Sequence, residues 1–396
     1  MVLSFPCFAA GGEENAAEES GVLSMQTTQI AVVGAGIAGL GVGLELVERG
    51  FEVTIFERDE VGRGASWAAA GMLAPTAEVT FEEEALLRLG QKSLAMYPDF
   101  IARLEEASGM DVDYRDEGTL MVALDRDDAE ELQRVHDYHR ELGLEVDKLS
   151  ADEARELEPG LVPNLHSALY IRTDHQVDPR RMTRAMAKAF ERAGGTLHEH
   201  TAIARVECGE RVEAVVTDAG ERIACETLLV AAGAWTRGLE GIPRELLPRV
   251  RPVRGQMLSI DLGEPPLCER VIRAPDAYLV PKSDGRLIVG ATSEEMGFDP
   301  QLTAGGVFEL LRGAWETLPG IYDQHLLDMW TGFRPVTLDN LPVLGPSELD
   351  GLWFATGHGR NGILLTAVTA ECLAEAIATG HTPDALQGFT PARLAR

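Results

Sequence analysis

The feature that most constrains this chain is the run Gly34-Ala35-Gly36-Ile37-Ala38-Gly39, set between an apolar strand and a helix. Ile30-Ala31-Val32-Val33 before it is a short, fully apolar run of the buried parallel-strand type. Residues 37–49 carry apolar positions at helical spacing, and Gly50 supplies a stop. Glu52-Val53-Thr54-Ile55-Phe56-Glu57 is a second strand, so the segment is a β-α-β unit. Each glycine has a physical reason. Gly34 makes the tight turn, Gly36 lets backbone N–H groups approach a pyrophosphate, and Gly39 lets helix pack on strand. The helix N-terminus then presents its positive dipole end to the anion. Glu57, at the end of the second strand, can accept hydrogen bonds from a ribose diol and would repel a 2′-phosphate. The motif predicts dinucleotide binding and argues against NADP. FAD and NAD share the same ADP half, and the motif does not separate them.

The rest of the chain alternates in character. Residues 83–107 and 126–142 are expected as amphipathic helices rich in Glu and Arg, with a strand near 118–124 between them. Ser150 with Glu153 is a capping-box signature, and Asp178-Pro179 opens a helix over 179–193. Residues 201–207, 211–217 and 221–224 suggest a small antiparallel meander, followed by a buried strand over 227–232 that ends in Gly233. A β-rich block with one helix spans about 250–330, and a strand, a glycine-rich loop and a long helix close the chain. The expected fold is α/β: a discontinuous Rossmann-like domain (29–80, 160–240 and 331–396) with an inserted β-rich substrate domain (81–159 and 241–330). Residues 1–28, with Glu13, Glu14, Glu18 and Glu19 among small residues, are expected to be a disordered acidic extension, with Met25 as an alternative start.

Composition removes other classes. With 45% hydrophobic residues, disorder is excluded as the main state. The 64 acidic residues against 35 basic ones give a net charge of −29, which disfavours nucleic acid and anionic membrane surfaces as partners. Only four of the basic residues are lysines, a bias that suggests a host adapted to high salt. Five scattered cysteines without CxxC spacing give neither a disulfide framework nor a zinc site, so a cytoplasmic protein with reduced thiols and no metal is expected. No apolar run approaches the length of a membrane span.

A second small-residue segment, Gly62-Arg63-Gly64-Ala65-Ser66-Trp67-Ala68-Ala69-Ala70-Gly71-Met72, would let a flat ring system lie against backbone. Together with Gly34–Gly39 it resembles the D-amino-acid oxidase superfamily of FAD enzymes, and within it the glycine oxidase type of the thiamine pathway. Further likeness lies in Leu229–Trp235, Val253-Arg254-Gly255-Gln256, Tyr278-Leu279-Val280-Pro281, Gly290-Ala291-Thr292, Gly332-Phe333-Arg334-Pro335 and Gly357–Leu365. The resemblance implies noncovalent FAD. Ile37 and Ala38 would line the pyrophosphate, Glu57 and Arg58 would sit at the adenosine ribose, and the backbone of Val206 would meet the adenine. Ala65 and Ser66 would sit near the phosphates, and Ala70, Gly71 and Met72 would face the isoalloxazine. Gly233 would belong to the cofactor site, and His358, Gly359, Arg360, Asn361, Gly362, Ile363 and Leu364 would form a loop and helix start at the pyrimidine edge of the flavin.

The resemblance also implies a substrate with a carboxylate. Arg334 and Arg360 match the family's carboxylate-binding arginines, and Tyr278 matches its tyrosine at the same group. An arginine suits this task because its planar fork can grip a carboxylate bidentately and stays charged. The expected reaction is oxidative deamination of glycine or another small amine, with hydride passing from Cα to flavin N5 and oxygen as acceptor. The products would be a 2-oxo acid (glyoxylate from glycine), ammonia and hydrogen peroxide. Orientation and desolvation suffice for such a transfer without a protein base. Sarcosine or D-amino-acid oxidases and dehydrogenases, a nicotinamide-dependent dehydrogenase and a non-catalytic flavin module are the alternatives. Asp276 and Ser293 depart from some relatives near the pocket and leave the substrate open. His175 is expected to be a polar loop residue. Monomer and homo-oligomer stay open.

Overall fold

The structure is a computed structural model that describes residues 26–394, so the expected extension lies outside the described residues up to Met25. The first strand, Gln26–Val33, starts four residues before the expected Ile30, so residues 26–28 are strand and not part of a disordered extension. It lies at the centre of an eight-stranded sheet, in parallel pairing with Val53–Phe56 on one side and Arg222–Val230 on the other. Leu352–Thr356 and Thr196–His198 extend the parallel order outward. Arg222–Val230 is one continuous strand, where the sequence suggested two. It pairs parallel with the central strand along nearly its whole length, while on its other edge the first half pairs antiparallel with Val212–Thr217 and the second half parallel with Leu352–Thr356.

Helices Ile37–Glu48, Pro179–Arg192, Thr366–Thr379 and Glu84–Ser108 pack together over this sheet. The last of these corrects an expected boundary. Its charged residues suggested a place in the inserted domain, but Leu86, Leu89, Leu94, Tyr97, Phe100, Ile101 and Leu104 form a buried stripe in the core of the nucleotide-binding half. A stripe at helical spacing decides which partner a helix covers, whatever its exposed face carries.

The second sheet also has eight strands, in the order Leu326–Val336, Arg251–Asp261, Arg286–Gly290, Tyr278–Pro281, Val271–Arg273, Thr119–Ala123, Ser167–Ile171 and Asp147–Ser150. Ser167–Ile171 hydrogen-bonds between Thr119–Ala123 and Asp147–Ser150, so it belongs to this sheet and not to the first, as does the whole of Leu326–Val336. Helices Ala304–Thr317 and Ala151–Leu157 cover one face through Leu310, Ala314 and Ala154 against Leu258, Leu279 and Val289. The opposite face turns toward the small-residue segment, where Met257, Val280, Ile288 and Trp330 meet Ala68 and Ala70.

Register places one residue per strand in a line across that inner face. Trp330 pairs with Met257, Met257 with Gly290, Gly290 with Tyr278, Tyr278 with Arg273, and Arg273 with Met121. Paired residues on adjacent strands share a face, so these side chains form a single row. Among the described residues, no helix is long and apolar enough to cross a membrane.

Candidate active site

The groove begins at the three-glycine turn. Gly34 has φ +106°, and a Cβ there would lie 2.6 Å from the carbonyl oxygen of Ala231. A Cβ on Gly39 would lie 2.0 Å from the Gly34 oxygen, so this position serves the close helix–strand packing and does not line the cavity. Gly36 caps the helix without a side-chain bond. Ser66 reaches over from the second small-residue segment instead, and its Oγ accepts from the Ile37 N–H at 2.9 Å. Glu57 accepts from the Ala35 N–H at 2.8 Å and the Asp59 N–H at 3.1 Å, which holds its carboxylate at the mouth of the turn. Arg58 stacks over Trp235 at 3.8 Å from the ring centroid.

At the far end of this groove, Ala202 and Ile203 line the cavity, and Val206 does not. The Val206 N–H donates to the Glu240 carbonyl at 2.8 Å, and its side chain packs with Val212, Val215 and Ile223. Ile203 packs against the same core cluster as Val206 but also borders the cavity, at a point where the register against Val212–Thr217 shifts between Ile203 and Arg205.

The next stretch forms the floor. Ala65–Ala68 makes one helical turn, and Met72 then pairs with Gln176. Gly71 has φ +88°, and a Cβ there would lie 1.9 Å from the Val177 oxygen, so the backbone runs flush against its support. Opposite, the 357–363 loop leaves Gly359, at φ +57°, with no atom within 4 Å of a would-be Cβ, and the same holds for Gly233, at φ +52°. His358, Gly359, Asn361, Gly362 and Ile363 line the cavity. His358 is buried, its Nε2 lies 3.3 Å from Thr369 Oγ1, and burial pulls its pKa down to about 4, so the ring is neutral near pH 7. Leu364 is the exception. Its carbonyl accepts from Ser93 Oγ at 2.6 Å and its side chain lies under Gly90, in the helix core and away from the cavity.

The second sheet supplies the chamber beyond. Arg334 leans over Gly255, where a Cβ would lie 2.5 Å from its Nη1, and this nitrogen donates to the Thr292 carbonyl at 3.0 Å. Among the described residues Arg334 makes no ion pair. Tyr278 leans across Gly290 to place its hydroxyl 3.4 Å from the Met257 sulfur. Burial pushes its pKa up, opposed by the facing Arg334 guanidinium. Asp276, which pairs with Arg312 at 3.1 Å, and Ser293 line the same cavity. His175 lies off it, against the Tyr114 hydroxyl at 2.5 Å.

Arg360 is placed differently from expectation. It lines the cavity, but its guanidinium is held by carboxylates of the protein: it pairs with Glu83, lies 3.4 Å from Glu78 Oε2 and donates to the Glu78 carbonyl at 3.0 Å. Glu78 also pairs with Arg273. Both Glu78 and Arg273 line the cavity and escaped the sequence reading. The lone charged residue in the stretch Met72–Val79 is the signal that could have found the first of them.

All these surfaces enclose one cavity of about 1030 Å³, which continues past Met72 to Met121 and Leu132. The glycine cradle, the anchored carboxylate of Glu57 and the flush backbone at Gly71 fit a dinucleotide carrying a flat ring at its far end. The Arg334 chamber lies beside that end.

Residues 29–376 match the family described as FAD dependent oxidoreductase (DAO). The glycine oxidase of Geobacillus kaustophilus is 36% identical over 366 residues, covering 92% of this chain and 96% of that protein. Its crystal structure superimposes with a TM-score of 0.87 over 93% of this chain and 99% of that one. The bifunctional protein ThiO/ThiG of Trichormus variabilis is 33% identical over 372 residues, which are 93% of this chain and 55% of that protein.

Proposed function

Since the chain belongs to the FAD dependent oxidoreductase (DAO) family and to its glycine oxidase branch, we propose that it oxidatively deaminates glycine in the cytoplasm, within thiamine biosynthesis. The overall change is glycine, oxygen and water to glyoxylate, ammonia and hydrogen peroxide. The observation that carries the reading is Arg334. Its cationic guanidinium, unpaired among the described residues, stands over a glycine in the cavity, beside Tyr278 and next to the Ala70–Met72 floor. The thiamine assignment rests on the names of relatives such as the bifunctional ThiO/ThiG protein, and the compartment on cysteines 225, 268 and 372, buried as free thiols.

Noncovalent FAD, when bound, would supply the hydride acceptor and the path of two electrons to oxygen. Its adenosine end would meet Glu57, Arg58 and Ile203, its pyrophosphate the Gly34–Gly39 turn with Ser66, and its ring Ala70–Met72 and the 358–363 loop. The chain's own groups do the rest. Arg334 would grip the substrate carboxylate, with Tyr278 donating to the same group, and so fix the direction of the Cα–H bond. Met257, Met72 and Trp330 keep that bond in an apolar setting. Neutral His358 supports its loop without adding charge at the floor. No side chain is required as a base for an amine that arrives neutral.

Continuation of the cavity past Met72 toward Met121 and Leu132 favours a second reading, an oxidase of sarcosine or a small D-amino acid, which needs room for a substituent. One panel tests both: peroxide production and flavin bleaching with glycine, sarcosine and D-alanine. Turnover of glycine with the highest kcat/KM supports the first reading, and a ranking led by either other substrate replaces it.

A further inference from the structure

Three charged residues of the cavity wall, Arg273, Glu78 and Arg360, form one network with a fourth, Glu83, that does not line the cavity. Arg273 pairs with one oxygen of Glu78, the other lies 3.4 Å from Arg360 Nε, and Arg360 pairs with Glu83. Two arginines face two glutamates, so the group is neutral overall. Glu78 is its hub, with only 12% of its side chain exposed. Its position is built from below: the N–H groups of Thr76 and Ala77 donate to the buried carboxylate of Asp174 at 3.3 and 2.9 Å, which fixes the backbone just before it.

The hub lies next to the substrate anchor. Arg273 is the cross-strand partner of Tyr278 in the row described above. The Tyr278 hydroxyl lies in the fields of Arg334, Glu78 and Arg273 together, the arginines favouring loss of its proton and the glutamate opposing it. Arg273 and Glu78 therefore border the space beside Tyr278, in the same cavity as Arg334, where a further group on the substrate would meet them. Without Glu78, Arg273 would have no ion-pair partner among the described residues, and Arg360 would keep only Glu83. That leaves one net positive charge, carried on an arginine fork suited to a carboxylate.

We propose that Glu78 is a specificity-determining residue that reserves the chamber for substrates with a single carboxylate, by occupying the arginines that would otherwise bind a second one. Resting on the amino-acid oxidase reading above, this names what the site excludes: amino acids bearing a second anionic group. The device works by repulsion, since an incoming carboxylate meets the Glu78 charge where it would need a cation.

The test compares wild type with Glu78→Gln, each as the FAD-loaded protein with flavin content and circular dichroism checked. The substrates are glycine, D-aspartate and N-(carboxymethyl)glycine, and calorimetry follows the binding of succinate and acetate. Glu78→Gln should raise the kcat/KM ratio of the dicarboxylic substrates to glycine about tenfold or more, and succinate binding relative to acetate about as much. Adding Arg273→Gln should abolish the gain. Arg273→Gln alone should move both ratios the other way, which keeps the proposal open to refutation if Glu78→Gln does not fold. Ratios unchanged in folded, flavin-loaded variants overturn it. If wild type oxidises no amine, the functional reading fails, and the succinate and acetate titrations still decide the role of Glu78.

Discussion

Gly255 and Arg334 stand on neighbouring strands, and the space where the glycine lacks a side chain is filled by the guanidinium. A Cβ at Gly255 would lie 2.5 Å from Nη1, 2.9 Å from Cζ and 3.0 Å from Nη2. The absence of one side chain thus makes room for the pose of the other. Gly255→Ala should displace the guanidinium and raise KM for the amino acid while FAD stays bound. Arg334→Ala should lower kcat/KM about 100-fold or more, the usual scale for losing a charged anchor. Steady-state kinetics with flavin absorbance decide this, and an unchanged kcat/KM in Arg334→Ala rules out the anchor.

Arg360→Gln should be far milder. Its guanidinium is already engaged by Glu78 and Glu83, so the substrate loses no direct anchor. A fall in kcat/KM of less than about tenfold is expected, against the larger loss at Arg334. Equal losses at both positions would place Arg360 on the substrate after all.

Glu57→Gln should weaken FAD binding about tenfold, because a charged acceptor of the ribose diol becomes a neutral one. Titration of the stripped protein with FAD, followed by fluorescence quenching, measures it. The cofactor itself should leave with acid precipitation and colour the supernatant yellow. Colour that stays in the pellet would mean a covalent link.

Asp174 makes stability depend on pH. Burial pushes its carboxyl from the ordinary 3.8 up to about 7, with Glu78 acting in the same sense and the Ala77 and Thr76 N–H groups and Arg273 against it. Between about pH 4 and 7 the folded protein holds this proton and the unfolded chain does not, so the contribution to stability falls as pH rises through that window. The difference in urea midpoint between wild type and Asp174→Asn should therefore shift steadily from pH 4.5 to 7.5. Parallel profiles would show that Asp174 does not titrate there.

What could be read from the sequence was mainly what is local. The Gly34–Gly39 turn, the Ala70–Met72 floor, the 358–363 loop and the Ser150 cap are each set by a few consecutive residues; the cap forms, and the turn, floor and loop all border one cavity. Partners far apart in the chain were not legible. Glu78 and Arg273 are separated by 195 positions, and only the docking of one sheet on the other brings them together. Val206 and Ile203 show a subtler limit: both join the same core cluster, and a register shift between Ile203 and Arg205, invisible in the sequence, leaves only Ile203 at the cavity. Helix Glu84–Ser108 shows that charged residues on one face conceal which core the other face joins.

The row Trp330–Met257–Gly290–Tyr278–Arg273–Met121 has an evolutionary consequence. Six adjacent strands of the eight each contribute one rung, and five of the six rungs carry a side chain. Backbone hydrogen bonds hold the spacing of the rungs whatever those side chains are. A lineage can therefore exchange the side chain at one rung, and with it the preferred amine, while the other rungs keep their places. The glycine rung is the one fixed term, because any side chain at Gly290 would meet Tyr278 and Met257 at once. The fold behaves as a keyboard, with substrate preference changed one key at a time.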